Sequence, residues 1–305
     1  MHPAYSIIFF TTVSGFGYGL AAVLGFGMLD AGAVSTKVAH FTALAFISAG
    51  LLSSTLHLGN PQRAWRAFSQ WRSSWLSREG VMAILTFVPL CAGAWLSIFE
   101  GRYVAWIGLT GTALSLITVY CTSMIYASLK SIYAWHTPVT SLAYLLFAAA
   151  GGLSLACVFA VFSGDLPALL IVACMAALAF AWVTKTMWRN RLKQDQSPST
   201  PETATGLGGI GKVKLLERPH INENYLTREM GYRVARKHAD KLSLLSLIFG
   251  CLIPIGLLFL VLLADEASIG ALGLATAALV SHALGVVTER WLFFAEARHA
   301  VMNYY

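Results

Sequence analysis

Charged side chains are scarce in this 305-residue protein. Lys, Arg, Asp and Glu together make up 11% of the residues, whereas ordinary soluble domains carry about 25%. Hydrophobic residues make up 57%, and the mean hydropathy is +0.67. A single folded core cannot hide so much apolar surface from water, so lipid is the solvent for most of this chain. The composition therefore excludes an ordinary soluble globular protein.

The motifs of several cofactor chemistries are missing as well. None of the five cysteines forms a CxxC pair, which argues against a zinc site or an iron–sulfur cluster, and no metal site is predicted. There is no GxGxxG motif in a strand–turn–helix setting and no P-loop, so flavin, nicotinamide and ATP chemistry have no support. These absences leave the histidines and carboxylates as the candidates for chemistry.

Eight apolar segments are long enough to cross a bilayer, for which a helix needs about 20 apolar residues. Their predicted limits are 5–28, 38–58, 80–99, 103–125, 138–163, 165–188, 242–264 and 267–289. The first segment has no basic region before it, which indicates a retained span and not a cleaved signal peptide. The predicted fold class is all-α, a single membrane domain (residues 1–305) of eight transmembrane helices with both termini on one side.

The Lys and Arg residues are distributed very unevenly between the two sides of this arrangement. Only Lys37 and Arg102 of the 21 basic residues fall on the side opposite the termini. Cytoplasmic loops of membrane proteins carry such an excess of positive charge. We therefore expect a multi-pass protein of the bacterial inner membrane, with its termini and long basic loops in the cytoplasm.

Two connections on the side of the termini are rich in polar residues. One is a predicted interfacial hairpin helix within residues 59–79. The other is a long basic loop, 189–241, which includes a basic amphipathic segment near 225–237. This segment either lies on lipid headgroups or docks a protein.

The hairpin sequence LHLGNPQRAWRAFSQWRSSWLSREG, residues 56–80, combines aromatic and guanidinium groups. Its large aromatic residues recur at intervals of three or four, which predicts one face at the lipid interface: Trp65, Phe68, Trp71 and Trp75. Asn60 is the predicted N-cap of a short helix over 61–76. Ser77 is predicted to cap the third span, so that Glu79 lies in its first turn, where the helix dipole favours a carboxylate.

A membrane interface explains the tryptophans and most of the arginines, but it does not explain His57 and Glu79. These two residues flank the hairpin at the same predicted depth. A neutral imidazole and a carboxylate there can hydrogen-bond a two-oxygen ring and pass its two protons. The neighbouring candidates are two rings for an apolar slot and two charges that tune the site: Trp71, Trp75, Arg72 and Arg78. The sequence therefore predicts a quinol site.

The last span carries a second group of ionisable residues. His282, Glu289 and Glu296 are spaced by seven residues, which places them on one stripe of the helix. Ionisable groups in membrane helices are functional candidates by default, so His282 and Glu289 are candidates for cofactor binding or proton handling. The alternative is that Glu289 is an interfacial partner of Arg290 or Arg298.

Two other functions stay open on the residues alone. A cytochrome-type anchor with haem b needs paired histidines, and His57 with His282 is the one arguable pair, at different depths. A membrane transporter needs charge at mid-membrane, and spans one to seven show almost none.

Three segments resemble the membrane-anchor subunit of the dimethyl sulfoxide reductase family: HPAYSIIFFTTVSGFGYGL, HLGNPQRAWRAFSQWRSSWLSREG and NYLTREMGYRVARKHADKL. The resemblance implies a haem-free eight-span anchor that exchanges electrons between a quinone (menaquinone or ubiquinone) and an iron–sulfur subunit. It also implies a molybdopterin catalytic subunit. The expected partners are these two subunits and the lipid membrane, with no nucleic acid.

The resemblance also assigns roles within the hairpin. It implicates His57 and Glu79 in the quinol site. Arg78 stands before that glutamate where a smaller polar residue is expected, which would alter the charge near Glu79 and the preference among quinones.

Overall fold

The computed structural model describes residues 3–55, 60–194, 199–214, 216–217 and 238–303. Over these ranges the protein is all-α and has no β-strand. His57 and the basic amphipathic segment predicted near 225–237 lie outside the described residues.

Eight helices are long and apolar enough to cross a membrane within these ranges. In sequence order, α1 to α8 are Tyr5–Gly25, Val34–Thr55, Trp75–Glu100, Ala105–Ala127, Pro138–Phe162, Ala168–Lys193, Ala239–Leu262 and Ile269–Ala295. The predicted count of eight spans is confirmed. Helix α8 runs six residues beyond its predicted end at 289. The prediction ended the span where the hydropathy falls, but the charged residues of the last turns are buried against protein and the helix continues through them.

Several contacts join helix ends into one face of the bundle, called here the proximal end. The end of α2 meets the start of α1 through a bond from the Ser53 hydroxyl to the Ser6 carbonyl, 3.0 Å. The Trp135 indole before α5 donates to the Phe293 carbonyl near the end of α8, 2.9 Å. The proximal end is thus where α2, α4, α6 and α8 finish and α1, α3, α5 and α7 begin.

Helix α1 lies at the centre of the bundle, packed against α2, α4, α5 and α8. Its sequence allows this because small residues let membrane helices approach closely. A Cβ added to Gly19 would lie 1.8 Å from the Ala148 carbonyl oxygen of α5, and one added to Gly152 would lie 2.0 Å from the Gly19 carbonyl carbon. The backbones of α1 and α5 are therefore in direct contact.

The hairpin between α2 and α3 differs from its prediction. Its helix is a 3₁₀ helix over Pro61–Gln70, without a side-chain cap from Asn60. Helix α3 begins at Trp75 because the Ser74 hydroxyl accepts the Ser77 amide proton. The predicted cap at Ser77 is therefore wrong, and Glu79 lies in the second turn and not the first.

The contact between α1 and α5 predicts a difference between two Gly-to-Ala changes. Gly152→Ala should lower the unfolding free energy by about 1–3 kcal/mol, because the new methyl group overlaps the α1 backbone. The matched control is Gly256→Ala in α7, where a Cβ meets nothing within 4 Å. Heat-induced loss of native tryptophan fluorescence measures both changes, and equal midpoints for the two variants would contradict the close packing.

Candidate functional site

Glu79 is the buried carboxylate of the proximal end. Its side chain points from α3 toward α4, where the Thr122 hydroxyl donates a hydrogen bond to it, and the residue is only 4% exposed. Deeper in the bundle, the hydroxyls of Thr86 and Thr118 lie 3.0 Å apart between the same two helices. An ionisable group in this setting is expensive to bury and marks a functional candidate.

A polar cleft begins beside Thr122 and extends between α1, α4, α5 and α8. Its cavity volume is about 20 Å³, and its polar lining comes from seven residues: Thr11, Thr12, Ser14, Tyr18, Thr122, Tyr144 and Arg290. The hydroxyl groups of Thr12 and Tyr18 are buried and have no hydrogen-bond partner within the described part of the protein. The Tyr144 hydroxyl is buried as well and interacts with the Arg290 guanidinium. The cleft therefore offers free polar atoms inside a membrane bundle.

Three charged side chains form a buried ion cluster at the far side of this cleft. The Lys185 ammonium lies 2.7 Å from one oxygen of Glu289, and Arg290 Nε lies 2.9 Å from the other. The Lys185 ammonium is also 3.5 Å above the Trp188 ring, and the Arg290 guanidinium lies 4.1 Å from the centre of the Tyr144 ring. With both basic groups charged, the cluster carries one net positive charge.

A second set of ion pairs connects this region to the surface. Arg189 is paired with Glu296 at 3.0 Å and with Asp240 at 3.2 Å. Lys193 is paired with the same Asp240 at 2.7 Å. Side-chain exposure rises from 12% at Glu296 to 79% at Asp240. Charged groups thus extend from the bundle interior to its proximal surface.

Most of the predicted hairpin residues lie at the surface beside Glu79. Trp71 and Arg72 are exposed in the turn after the 3₁₀ helix. Arg78 folds back over this turn, donating to the carbonyls of Trp71 (2.9 Å) and Arg72 (2.7 Å). Its guanidinium also lies 4.2 Å from the centre of the Trp75 ring. Arg78 therefore closes the hairpin, and the roles of all four residues in quinone binding stay predictions.

His282 lies apart from Glu79 and supports an irregular turn of α7. This turn, Ile248–Leu252, has π-helical geometry. The His282 Nδ1 lies 2.7 Å from the Gly250 carbonyl oxygen, and the Trp182 indole donates to the same oxygen at 2.9 Å. The imidazole stacks on Phe16 with a centroid distance of 5.5 Å. The contacts of His282 are thus those of a residue that satisfies a carbonyl in the membrane.

A second cleft lies at the opposite end of the bundle, between α1, α2, α3 and α4. Its cavity volume is about 40 Å³, and it is mostly apolar, with polar groups from Thr36, His40, Ser97, Arg102 and Tyr103. The Ser97 hydroxyl already donates to the Ala31 carbonyl at 2.8 Å. Neither this cleft nor the polar cleft has a carboxylate of the described residues in its lining. Glu79 contacts the lining of the polar cleft through Thr122, so a buried carboxylate adjoins the cleft at the proximal end.

Sequence reasoning missed the partners of Glu79 and Glu289. The expectation for spans one to seven concerned charge at mid-membrane, and it overlooked Lys185, which is buried toward the proximal end of α6. A signal was present, since Lys185 lies three residues from both Trp182 and Trp188 within an apolar run. Thr122 and Tyr144 carry no comparable signal, because isolated hydroxyl residues are common in membrane helices. Among the described residues no cluster of metal-ligating side chains occurs.

The ion cluster predicts unequal effects of removing its members. Glu289→Gln leaves Lys185 and Arg290 as two unneutralised positive charges, so the unfolding free energy should fall by about 3–5 kcal/mol. Lys185→Met leaves the Glu289–Arg290 pair intact and should cost less. The thermal midpoint of the purified complex measures both, with Arg102→Met in an exposed pair as the control, expected to change stability by about 1 kcal/mol or less. An equal loss for both cluster variants would contradict this charge arrangement.

The protein resembles known proteins over its whole length. Residues 1–295 match the family described as DMSO reductase anchor subunit (DmsC). A sulfite dehydrogenase subunit of Allochromatium vinosum is 31% identical, and the match covers 100% of this sequence and 99% of that protein. A subunit of the anaerobic dimethyl sulfoxide reductase of Haemophilus influenzae is 26% identical over 49% of this sequence and 56% of its own length. No solved structure matches the sequence. The chain therefore belongs to the DMSO reductase anchor subunit family.

Proposed function

We propose that this anchor subunit reacts with quinone at the proximal end, and that Glu79 is the group that exchanges protons with it. The observation that supports this most strongly is the buried Glu79 carboxylate, held by the Thr122 hydroxyl next to the hairpin. Structural ion pairing does not explain it, because no basic side chain among the described residues forms a salt bridge with Glu79.

The described residues fit a quinone headgroup at this position. A quinol needs a hydrogen-bond acceptor that takes a proton, and a carboxylate is such a group. The Thr122 hydroxyl fixes one carboxylate oxygen, which leaves the other for a ligand. When bound, the quinol supplies two electrons and two protons. His57, the second predicted acceptor, lies outside the described residues and stays part of the proposal.

We further propose that the subunit holds an iron–sulfur electron-transfer subunit and a molybdopterin catalytic subunit against the membrane. Electron tunnelling falls steeply with distance, so a haem-free anchor must keep its quinone close to the partner's nearest cluster. The exposed basic and aromatic hairpin beside Glu79 is the surface suited to such a partner. The two relatives are named as subunits of a dehydrogenase and of a reductase, and these names describe opposite directions of electron flow. One carboxylate serves both directions, because it can accept protons from quinol or return them to quinone.

The proposed site is tested by a change that removes acidity but keeps size. Glu79→Gln retains a hydrogen-bonding oxygen for Thr122, so we expect the complex to assemble. Reduction of the partner's iron–sulfur clusters by menadiol, followed by stopped-flow absorbance, should slow by about 100-fold or more because the proton acceptor is lost.

The matched control is Glu100→Gln at the opposite end of the bundle, where the carboxylate is exposed and paired with Arg102. This variant should react at the wild-type rate. The proposed site is wrong if both variants, assembled to the same level, reduce the clusters equally fast.

The orientation of the anchor is a further part of the proposal. Because the basic residues concentrate in the connections of the proximal end, we propose that this end faces the cytoplasm. A green fluorescent protein fused after Tyr305 should then fluoresce, and alkaline phosphatase fused at the same position should be inactive. The reverse pair of results would place the proximal end, and its partners, on the other side.

A further inference from the structure

The polar groups at the proximal end form a series between Glu79 and the protein surface. Glu79 contacts Thr122, which lines the polar cleft, and Tyr144 lines the cleft on α5. The ring of Tyr144 lies against Arg290, which is paired with Glu289. Lys185 is the other partner of Glu289. One turn further along α6, Arg189 is paired with both Glu296 and Asp240, which extends the series outward. Six helices, α3 to α8, contribute to a single polar route.

These groups also lie at a common depth in the bundle. Glu79, Thr122, Tyr144 and Glu289 are each four to six residues from the proximal ends of their helices. With a rise of 1.5 Å per residue, they lie about 6–9 Å below those ends. The route from Glu79 to Glu289 therefore runs sideways through the bundle rather than across the membrane.

The cleft between Thr122 and Arg290 has the properties of a site for ordered water. Its cavity volume of about 20 Å³, counted as the space open to the centre of a water-sized sphere, exceeds the roughly 10–15 Å³ that one buried water needs by the same measure. A buried water needs two to four polar partners, and the hydroxyls of Thr12 and Tyr18 are buried without partners among the described residues, while the Tyr144 hydroxyl belongs to the same lining. Since buried hydroxyls are rarely left unpaired, water is the simplest group that satisfies both.

We propose that this water-holding cleft carries protons between Glu79 and the Lys185–Glu289–Arg290 cluster, and that Asp240 is the outlet at the surface. The inference rests on the proposed role of Glu79 and adds the path by which that carboxylate is recharged. It assigns the Tyr144 hydroxyl as the group that relays the proton, and Glu289 as the buried carboxylate that receives it.

The proton steps balance without any further reactant. A proton accepted by the Glu79 carboxylate passes to cleft water, and the Tyr144 hydroxyl accepts one proton while donating its own. Glu289 receives the proton and releases it outward, while Arg290 stays charged and holds Glu289 in place. Each quinol sends two protons along this path in succession, and its two electrons leave to the docked iron–sulfur cluster. In quinone reduction the same steps run in reverse.

Glu289 lies in a position suited to a relay between the cleft and the surface. It is held between two basic side chains, each within 3 Å of one of its oxygens. Side-chain exposure rises from 2% at Glu289 through 12% at Glu296 to 79% at Asp240, which is the order expected for an exit.

The path is tested by the exchange of the Glu79 proton with solvent, measured without any quinone. Infrared spectra of the assembled complex are recorded at a pH that protonates Glu79, while the buffer is switched from water to deuterium oxide. The carboxyl band lost in Glu79→Gln identifies Glu79. In Tyr144→Phe we expect the band of Glu79 to shift about tenfold more slowly, or slower still, because one relay hydroxyl is missing.

The matched control is Tyr126→Phe. Tyr126 stacks on Tyr144 at a centroid distance of 5.8 Å but is not part of the cleft lining, so the same atom is removed from the same aromatic cluster. This variant should exchange at the wild-type rate. Equal exchange rates in Tyr144→Phe and Tyr126→Phe would overturn the proposed path. Glu289→Gln should also slow the exchange. If the Glu289→Gln complex fails to assemble, the comparison of Tyr144→Phe with Tyr126→Phe is sufficient to test the path.

A second readout separates this inference from the proposed function. With menadiol as the reductant, Tyr144→Phe should lower kcat for cluster reduction and leave KM unchanged, because the headgroup contacts remain. If Glu79→Gln reacts normally with menadiol, the proposed function fails whatever the infrared result. If Glu79→Gln is slow but Tyr144→Phe behaves like Tyr126→Phe in both assays, the quinone site stands and the path is wrong.

Discussion

A charge buried in a membrane bundle must find its partner inside the protein, and this constraint organises the proximal end of the molecule. Hydrocarbon offers no hydrogen bonds, so an isolated ion there is costly. Glu289 meets the constraint with Lys185 and Arg290 from two helices. The Lys185–Glu289 pair joins α6 to α8. Arg290, the next residue on α8, lies against the Tyr144 ring and lines the polar cleft.

Glu79 meets the same constraint in a different way, with a neutral partner. A single hydroxyl from Thr122 leaves its second oxygen free and adds no compensating charge. Glu79 thus keeps an oxygen for a ligand, whereas each oxygen of Glu289 faces a basic side chain. The two buried glutamates therefore suit different tasks, Glu79 as the group that exchanges protons with a ligand and Glu289 as the group that passes them on.

The close packing around α1 gives these polar groups a rigid frame. Gly19 and Gly152 bring the α1 and α5 backbones together, and this contact holds the hydroxyls of Thr12 and Tyr144 across one narrow cleft. The π-helical turn of α7 is stabilised in a similar way, since Trp182 and His282 both bond the Gly250 carbonyl. Small residues set the distances, and polar side chains satisfy the backbone groups that irregular turns release.

The sequence predicted the parts of this structure that depend on local patterns. Hydropathy located all eight spans, and the unusual position of Glu79 after the aromatic hairpin marked it as a candidate. The start of α3 was misplaced, because Ser74 and Ser77 are equally good caps by residue type and the choice depends on local geometry. Lys185 was passed over because its long apolar stem lies in a hydrophobic run. Its pairing with Glu289, far away in the sequence, depends on tertiary packing that no local pattern records.

The assignment of the quinone site is tested most directly by cryo-electron microscopy of the assembled complex with menadione bound. We expect the headgroup between the hairpin and α3, with one oxygen within hydrogen-bonding distance of the Glu79 carboxyl group. Headgroup density in the apolar cleft around His40, at the opposite end of the bundle, would contradict the assignment.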